Sequence, residues 1–256
     1  MTSTVSIPAA LASAVRVIAP AWRHCWAVLI LAACLTAACF IAPSRPQTMW
    51  WPILACFAVL LAKGALWRLA SGRLVRRCGL QLGGVEARLT LVWGLTALFL
   101  FVLGLLFFVV ILGFAYAAAS AGHGFVASQV ATWASAVDSR GRLLVSAVAL
   151  FLTALLVWAA TRISLAEAAT VFEGRLMVLE SWPLTRGRVL PIVLTNLALA
   201  IVPAALLDIR HRLLLAGLSV LAQWAGLVAG LVLGGLWLPM SVGLMAYFHE
   251  RRASPA

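Results

Sequence analysis

The side chains able to do acid–base, nucleophilic or metal chemistry are few and scattered: seven carboxylates, four histidines and five cysteines in 256 residues. The acids are Glu86, Asp138, Glu167, Glu173, Glu180, Asp208 and Glu250, and all fall in loops or at the ends of apolar runs. An ion-coupled transporter places a carboxylate within the membrane to carry protons or cations. Their placement therefore argues against proton-coupled transport, though not against a passive lipid path. Cys25, Cys34, Cys39, Cys56 and Cys78 form no CxxC pair, and His24 beside Cys25 lacks further ligands. Neither a disulfide nor zinc is expected, and no other metal or cofactor. His24, His123 and His211 stand apart from any catalytic set, and His249 is expected beyond the last helix. Gly-rich phosphate loops are absent. The chain is not expected to be an enzyme.

The chemistry these residues do permit is recognition of an anion. The one charge-rich, patterned region is 162–188. Ser164 followed by Glu167 is a capping-box spacing for a helix start. Leu165, Ala169, Phe172, Leu176 and Leu179 then recur on one face, with Glu180 closing the helix. Ser181-Trp182-Pro183 is expected to break it and to start a second helix at 184–188. A cytoplasmic helical hairpin results. Within it, Arg162, Glu173, Arg175, Trp182, Arg186 and Arg188 are the candidate residues for docking a headgroup or a protein partner. Arginine suits this role because its planar fork binds phosphate bidentately. The plainer alternative is a solvated connection pinned by orienting charges.

The elements that must position this segment are six apolar runs, 26–42, 51–67, 89–116, 143–160, 189–207 and 217–248. About 20 apolar residues cross about 30 Å of hydrocarbon. Hydrophobic residues make up 64% of the chain, against about 45–50% in soluble domains, so lipid must cover the excess. The expected fold is an all-α polytopic membrane helix bundle with amphipathic interfacial helices. It forms a single integral membrane domain over residues 1–256, with no soluble module at either end. Leu31-Ala32-Ala33-Cys34 looks like a lipoprotein cleavage box, but the run stays apolar to Ile41, so an uncleaved first span is expected.

The net charge of +12 suggests nucleic acid only until the charges are placed. With the N-terminus inside, the outer flanks hold five of the nineteen Lys and Arg: Arg45, Arg140, Arg142, Arg210 and Arg212. The other fourteen lie on inner flanks. Such a bias sets orientation and attracts anionic headgroups. Both termini are therefore expected in the cytoplasm, with cytoplasmic segments near 1–25, 71–88, 162–188 and 249–256. Membrane lipids are the expected partners, and nucleic acid is not.

Details within the runs follow from spacing. Residues 9–18, between Pro8 and Pro20, suit a short interfacial helix. Pro43, Ser44 and Pro46 mark a tight outer hairpin over 42–48. Lys63, near the inner end of the second run, is expected to snorkel to the headgroups. The uncharged stretch from 89 to 137 is read as a tilted or protruding span, a break at 122–124 and a surface helix over 125–137. Residues 213–223 are expected to pack obliquely before a helix starts near Trp224. Gly226, Gly230 and Gly234 then form a small-residue seam for helix packing within the bundle or in a homo-oligomer. Pro239 should kink the helix just beyond. Thr195 and Asn196 are the best candidates for an interhelical hydrogen bond. A transporter would turn Thr153, Thr195 and Asn196 toward one cavity.

The run from Arg162 to Gly187, with its Ser181-Trp182-x-Leu184-Thr185-Arg186-Gly187 core, resembles a stretch in small bacterial inner-membrane proteins. It also looks like the membrane domain that precedes the catalytic domain of some membrane-bound glycerophosphodiester phosphodiesterases. Gly79-Leu80-Gln81-Leu82-Gly83 with Glu86 and Arg88 resembles a loop of related alphaproteobacterial proteins. Pro183 stands where such proteins often carry a basic residue, and Tyr247–Arg252 matches their endings loosely. The catalytic domain is absent from these residues, so that activity does not transfer. Gly217-Leu218-Ser219 faintly resembles the serine motif of rhomboid proteases, without the histidine in another span that they need. The resemblance implies a bacterial inner-membrane, lipid-associated protein. It would act without catalysis, as an accessory or scaffold in membrane-lipid or envelope processes. An uncoupled transporter or flippase-like protein is the alternative.

Overall fold

In hydrocarbon no water satisfies backbone N–H and C=O groups, so an apolar run must close its hydrogen bonds within itself as a helix. The computed structural model describes residues 6–41, 50–73, 79–120 and 139–251, and among these every regular element is helical. The chain runs through α1 (Ile7–Arg16), α2 (Ile18–Ile41), α3 (Trp50–Ala70), α4 (Gly84–Ser120), α5 (Ser139–Ile163) and α6 (Ala166–Glu173). A 3-10 turn (Leu179–Thr185) leads to α7 (Val189–Leu215), α8 (Ser219–Val232), a π turn (Leu233–Trp237) and α9 (Leu238–Glu250). Six stretches are long and apolar enough to span: α2, α3, α4, α5 with α6, α7, and α8 through α9. The protein is a polytopic helical membrane protein. The proline hairpin at 42–48, the break at 122–124 and the surface helix over 125–137 lie outside the described residues, as do Arg45, His123 and Asp138.

Helix α4 has 37 residues, about 55 Å at 1.5 Å per residue, which fits the protruding third span. Two boundaries differ from expectation. Helix α7 continues through Arg210 and Arg212, where Arg212 pairs with Asp208 one turn back at 2.7 Å in an exposed i,i+4 contact. It stops at Gly217 (φ +74), where the Leu218 N–H reaches back to the Leu213 carbonyl at 2.9 Å in a Schellman closure. Instead of an oblique stretch to 223, α8 begins at Ser219.

The core joins Val28 and Leu29 of α2, Leu61 and Leu66 of α3, and Val242 of α9. Helix α1 does not leave its apolar stripe to lipid. Ala10 and Ala14 are buried with Leu244 and Phe248 of α9. Helix α9 runs antiparallel to α2, and the π turn between α8 and α9 has an identifiable cause. Pro239 lacks an N–H, so the Gly235 carbonyl four residues back loses its helical donor. Trp22 Nε1 donates to that carbonyl at 3.0 Å. Trp22→Phe is expected to lower stability by about 1–2 kcal/mol, the cost of one buried carbonyl left unpaired. Thermal unfolding in neutral detergent would measure it, and an unchanged midpoint would assign the π turn to Pro239 alone.

Candidate functional site

Most basic residues collect at one end of the bundle, where α3, α5 and α9 end and α4 and α7 begin. Helix α3 carries two cations there, and each meets an acid from another helix. Lys63 Nζ donates to Glu167 Oε1 at 2.7 Å and to Oε2 at 2.9 Å. The indole N–H of Trp93 (α4) donates to Oε1 at 2.7 Å and that of Trp67 (α3) to Oε2 at 3.3 Å. The Lys63 ammonium also lies 4.8 Å from the Trp93 ring centroid. Glu167 thus joins α6 to α3 and α4. Arg68 pairs with Glu86, both buried. Glu86 further accepts the Gly83 N–H at 2.9 Å at the start of α4, the return half of a capping box. Gly64 makes room for it, since a Cβ there would overlap the Glu86 carboxylate.

These pairs correct two expectations. Lys63 does not snorkel to solvent but turns inward to a partner 104 residues away in sequence. Glu86 and Glu167 sit at helix ends, yet inside the bundle.

The 162–188 segment also departs from its expected form. Ser164 makes no capping box; its Oγ donates to the Thr161 carbonyl at 2.7 Å, and α6 starts at Ala166 with no side-chain cap. Helix α6 ends at Gly174 (φ +71), seven residues before Ser181. The left-handed backbone at 174 favours glycine, and the apolar face beyond it dissolves: Leu176 and Leu179 are exposed. Ser181–Pro183 is not a break but part of the 3-10 turn, and no second helix forms before α7.

The candidate docking residues separate into distinct environments. Arg162 stacks 5.1 Å from the Trp158 ring and 5.8 Å from Trp182, whose rings meet edge-on at 5.1 Å. Arg175 faces Glu180 at 3.1 Å and Glu173 at 3.5 Å. Arg188 donates to the carbonyls of Phe248 at 3.3 Å and Arg251 at 3.2 Å, closing the end of α9. Arg73 likewise donates to Val171 at the end of α6, and Arg210 to Phe40 at the end of α2. Arg186, two residues before Arg188, is exposed, and its side chain has no hydrogen-bond or ion-pair partner among the described residues. Arg162, Trp182 and Arg188 are thus held within the fold, Glu173 and Arg175 are exposed but paired, and Arg186 is exposed.

The glycine seam lies against α2. A Cβ on Gly230 or Gly234 would overlap the backbone of Ala37 or Ala33, and one on Gly226 would come 3.0 Å from Phe40 Cβ.

Two grooves flank the last turns of α5. One, about 410 Å³, lies between α5 and α7, with Trp237 and Met245 behind it. The other, about 370 Å³, lies between α4 and α5, with Glu167 at its edge. Ala160 and Ser164 line both. The three polar residues that a transporter would turn toward one cavity do not share one. Thr153 is exposed, Thr195 is fully buried, and Asn196 lines the first groove. Nor do Thr195 and Asn196 bridge helices: Thr195 donates to Pro191 at 2.7 Å and Asn196 to Ile192 at 2.8 Å within α7. In a helix such back-bonding outcompetes a distant partner. His249 lies inside the last turn of α9, edge-on to Phe172 at 4.8 Å. Among the described residues no three His, Cys, Asp or Glu side chains group as metal ligands.

No family model, no curated protein and no solved structure matches the chain.

Proposed function

We propose that this is a non-catalytic accessory or scaffold protein of a bacterial inner membrane, engaging anionic lipid headgroups through the 162–188 segment. Both termini face the cytoplasm, following the fourteen-to-five bias of basic residues. The observation that carries the reading is the fastening of the segment. Glu167 is tied to α3 and α4, Arg188 to α9, and Arg162 to two tryptophans. A mere connection needs no such anchoring. The result is a preorganised mount for Arg186, whose guanidinium suits a phosphodiester. The likeness to membrane domains of glycerophosphodiester phosphodiesterases points to the same lipid chemistry without the hydrolysis. A cytoplasmic protein partner with acidic groups is the variant of this reading that the same surface would serve.

A second reading, an uncoupled transporter or flippase-like path, draws on the two separate grooves that both touch Ala160 and Ser164.

The test is thermal unfolding in neutral detergent titrated with phosphatidylglycerol, since a ligand of the folded state raises the midpoint. Arg186→Glu alters the local charge by two units, and about 1 kcal/mol per charge near a lipid surface weakens half-saturation about 30-fold. Arg45→Glu is expected to change it less than about fivefold. Equal effects of the two substitutions would remove the docking role.

A further inference from the structure

We infer that the groove between α5 and α7 holds one acyl chain of an anionic phospholipid whose phosphate rests at Arg186. The inference builds on the headgroup reading and adds a seat for the hydrocarbon. The groove's walls come from Val157, Ala160 and Ser164 on one side and Ile192, Asn196 and Ala200 on the other. It opens sideways, because Val157 and Leu197 at its rim are 49% and 61% exposed. Its volume of about 410 Å³ falls in the range of small-ligand sites, about 300–1,000 Å³.

Three of the four polar side chains in the walls donate to a nearby backbone carbonyl, and the fourth, Trp237, keeps its Nε1 buried without a hydrogen-bond partner among the described residues. Thr161 Oγ1 donates to Val157 at 2.8 Å, Ser164 Oγ to Thr161 at 2.7 Å and Asn196 Nδ2 to Ile192 at 2.8 Å. A strongly polar solute entering the groove would lose water and find only the Trp237 indole N–H and one Asn196 N–H in return. A hydrocarbon chain loses nothing. The occupant is therefore apolar along its length.

The basic end of the groove gives the occupant its charge. The Ile192 N–H bonds the Arg188 carbonyl at 3.1 Å, so the wall of α7 begins one turn after Arg188 and six residues after Arg186. Across the mouth, Arg162 Nη1 lies 3.5 Å from Thr185 Oγ1, the residue before Arg186. The neighbouring carboxylates already have cations: Glu167 has Lys63, and Glu173 and Glu180 share Arg175. Among the described residues Arg186 forms no ion pair, and the carboxylate left without a salt bridge at this end, Glu250, is exposed at the end of α9. One lipid with its chain in the groove satisfies both features at once.

The experiment uses the full chain in vesicles of phosphatidylglycerol and phosphatidylcholine, with a trace of either lipid bearing a mid-chain diazirine. After photolysis, peptide mass spectrometry locates the label. The phosphatidylglycerol probe is expected to label Val157, Leu197 and Ala200 at least about fivefold more than Phe101 and Phe108, which face outward on α4. Ala200→Phe, which fills the groove, should erase the groove label, and Val193→Trp is a second filler should the first fail to fold. Arg186→Gln should lower the preference for phosphatidylglycerol about fivefold. Equal labelling of groove and α4 would mark ordinary surrounding lipid and overturn the inference, as would label that survives both fillers or a second copy of the chain seated there. If groove labelling fails while Arg186→Glu still weakens the thermal response, the headgroup reading stands and only the groove falls. If labelling persists without any headgroup preference, the anionic assignment falls instead.

Discussion

Glu167→Ala is expected to be strongly damaging at the basic end of the bundle, lowering stability by about 3–5 kcal/mol. The carboxylate accepts two contacts from Lys63 and one from each of Trp67 and Trp93. Removing it leaves an ammonium only 17% exposed among indoles, with no counter-ion. Breaking a buried pair costs far more than replacing it, because the surviving charge remains desolvated. The double substitution Lys63→Met with Glu167→Leu should therefore recover most of the loss. A thermal-unfolding cycle in neutral detergent measures both. If the double variant is as unstable as Glu167→Ala, the damage comes from packing of α6 rather than from the unpaired lysine.

Gly230→Leu is the second large effect. Helices in lipid gain little from burying apolar surface against one another, so close backbone approach supplies the contact. At Gly230 a Cβ would meet the backbone of Ala37, which no rotamer change can relieve. Overpacking costs about 1–3 kcal/mol when side chains give way, and here the helices must separate. The upper end of that range or more is expected, with Gly234→Leu similar and Gly226→Ala milder. Gly104→Leu, with open space around it, should leave the melting midpoint unchanged. A fall in oligomeric size without loss of stability on Gly230→Leu would instead make the seam a contact between copies.

The spans were legible in the sequence because lipid forces each apolar run to be a helix, whatever it packs against. The seam at Gly226, Gly230 and Gly234 was visible for a similar reason: its four-residue spacing is local. Local spacing also misled. Leu165, Ala169 and Phe172 promised a helix continuing to Leu179, yet Gly174 adopts the left-handed conformation and ends it. Glycine at that position was the available signal. Ser164 had the capping-box spacing, but its hydroxyl bonds the preceding turn instead.

The charged node was least legible. Lys63 and Glu167 are 104 residues apart, and nothing in their immediate neighbours announces the pairing. The only hint was scarcity. With seven acids against nineteen bases, an acid bordering a span is better explained by a buried cation than by solvent. The arginines were overcounted as docking residues for a related reason. Arg162, Arg175 and Arg188 close helix ends or pair with neighbours, geometry that composition does not reveal, and of the four it is Arg186 that is exposed without an ion pair.

The most direct test of the headgroup reading is a native mass spectrum of the protein extracted gently from its own membrane. The account predicts a stoichiometric anionic phospholipid on the wild-type chain that is lost on Arg186→Glu. A bare chain, or bound lipid indifferent to that substitution, would contradict it and leave 162–188 as a connection between helices.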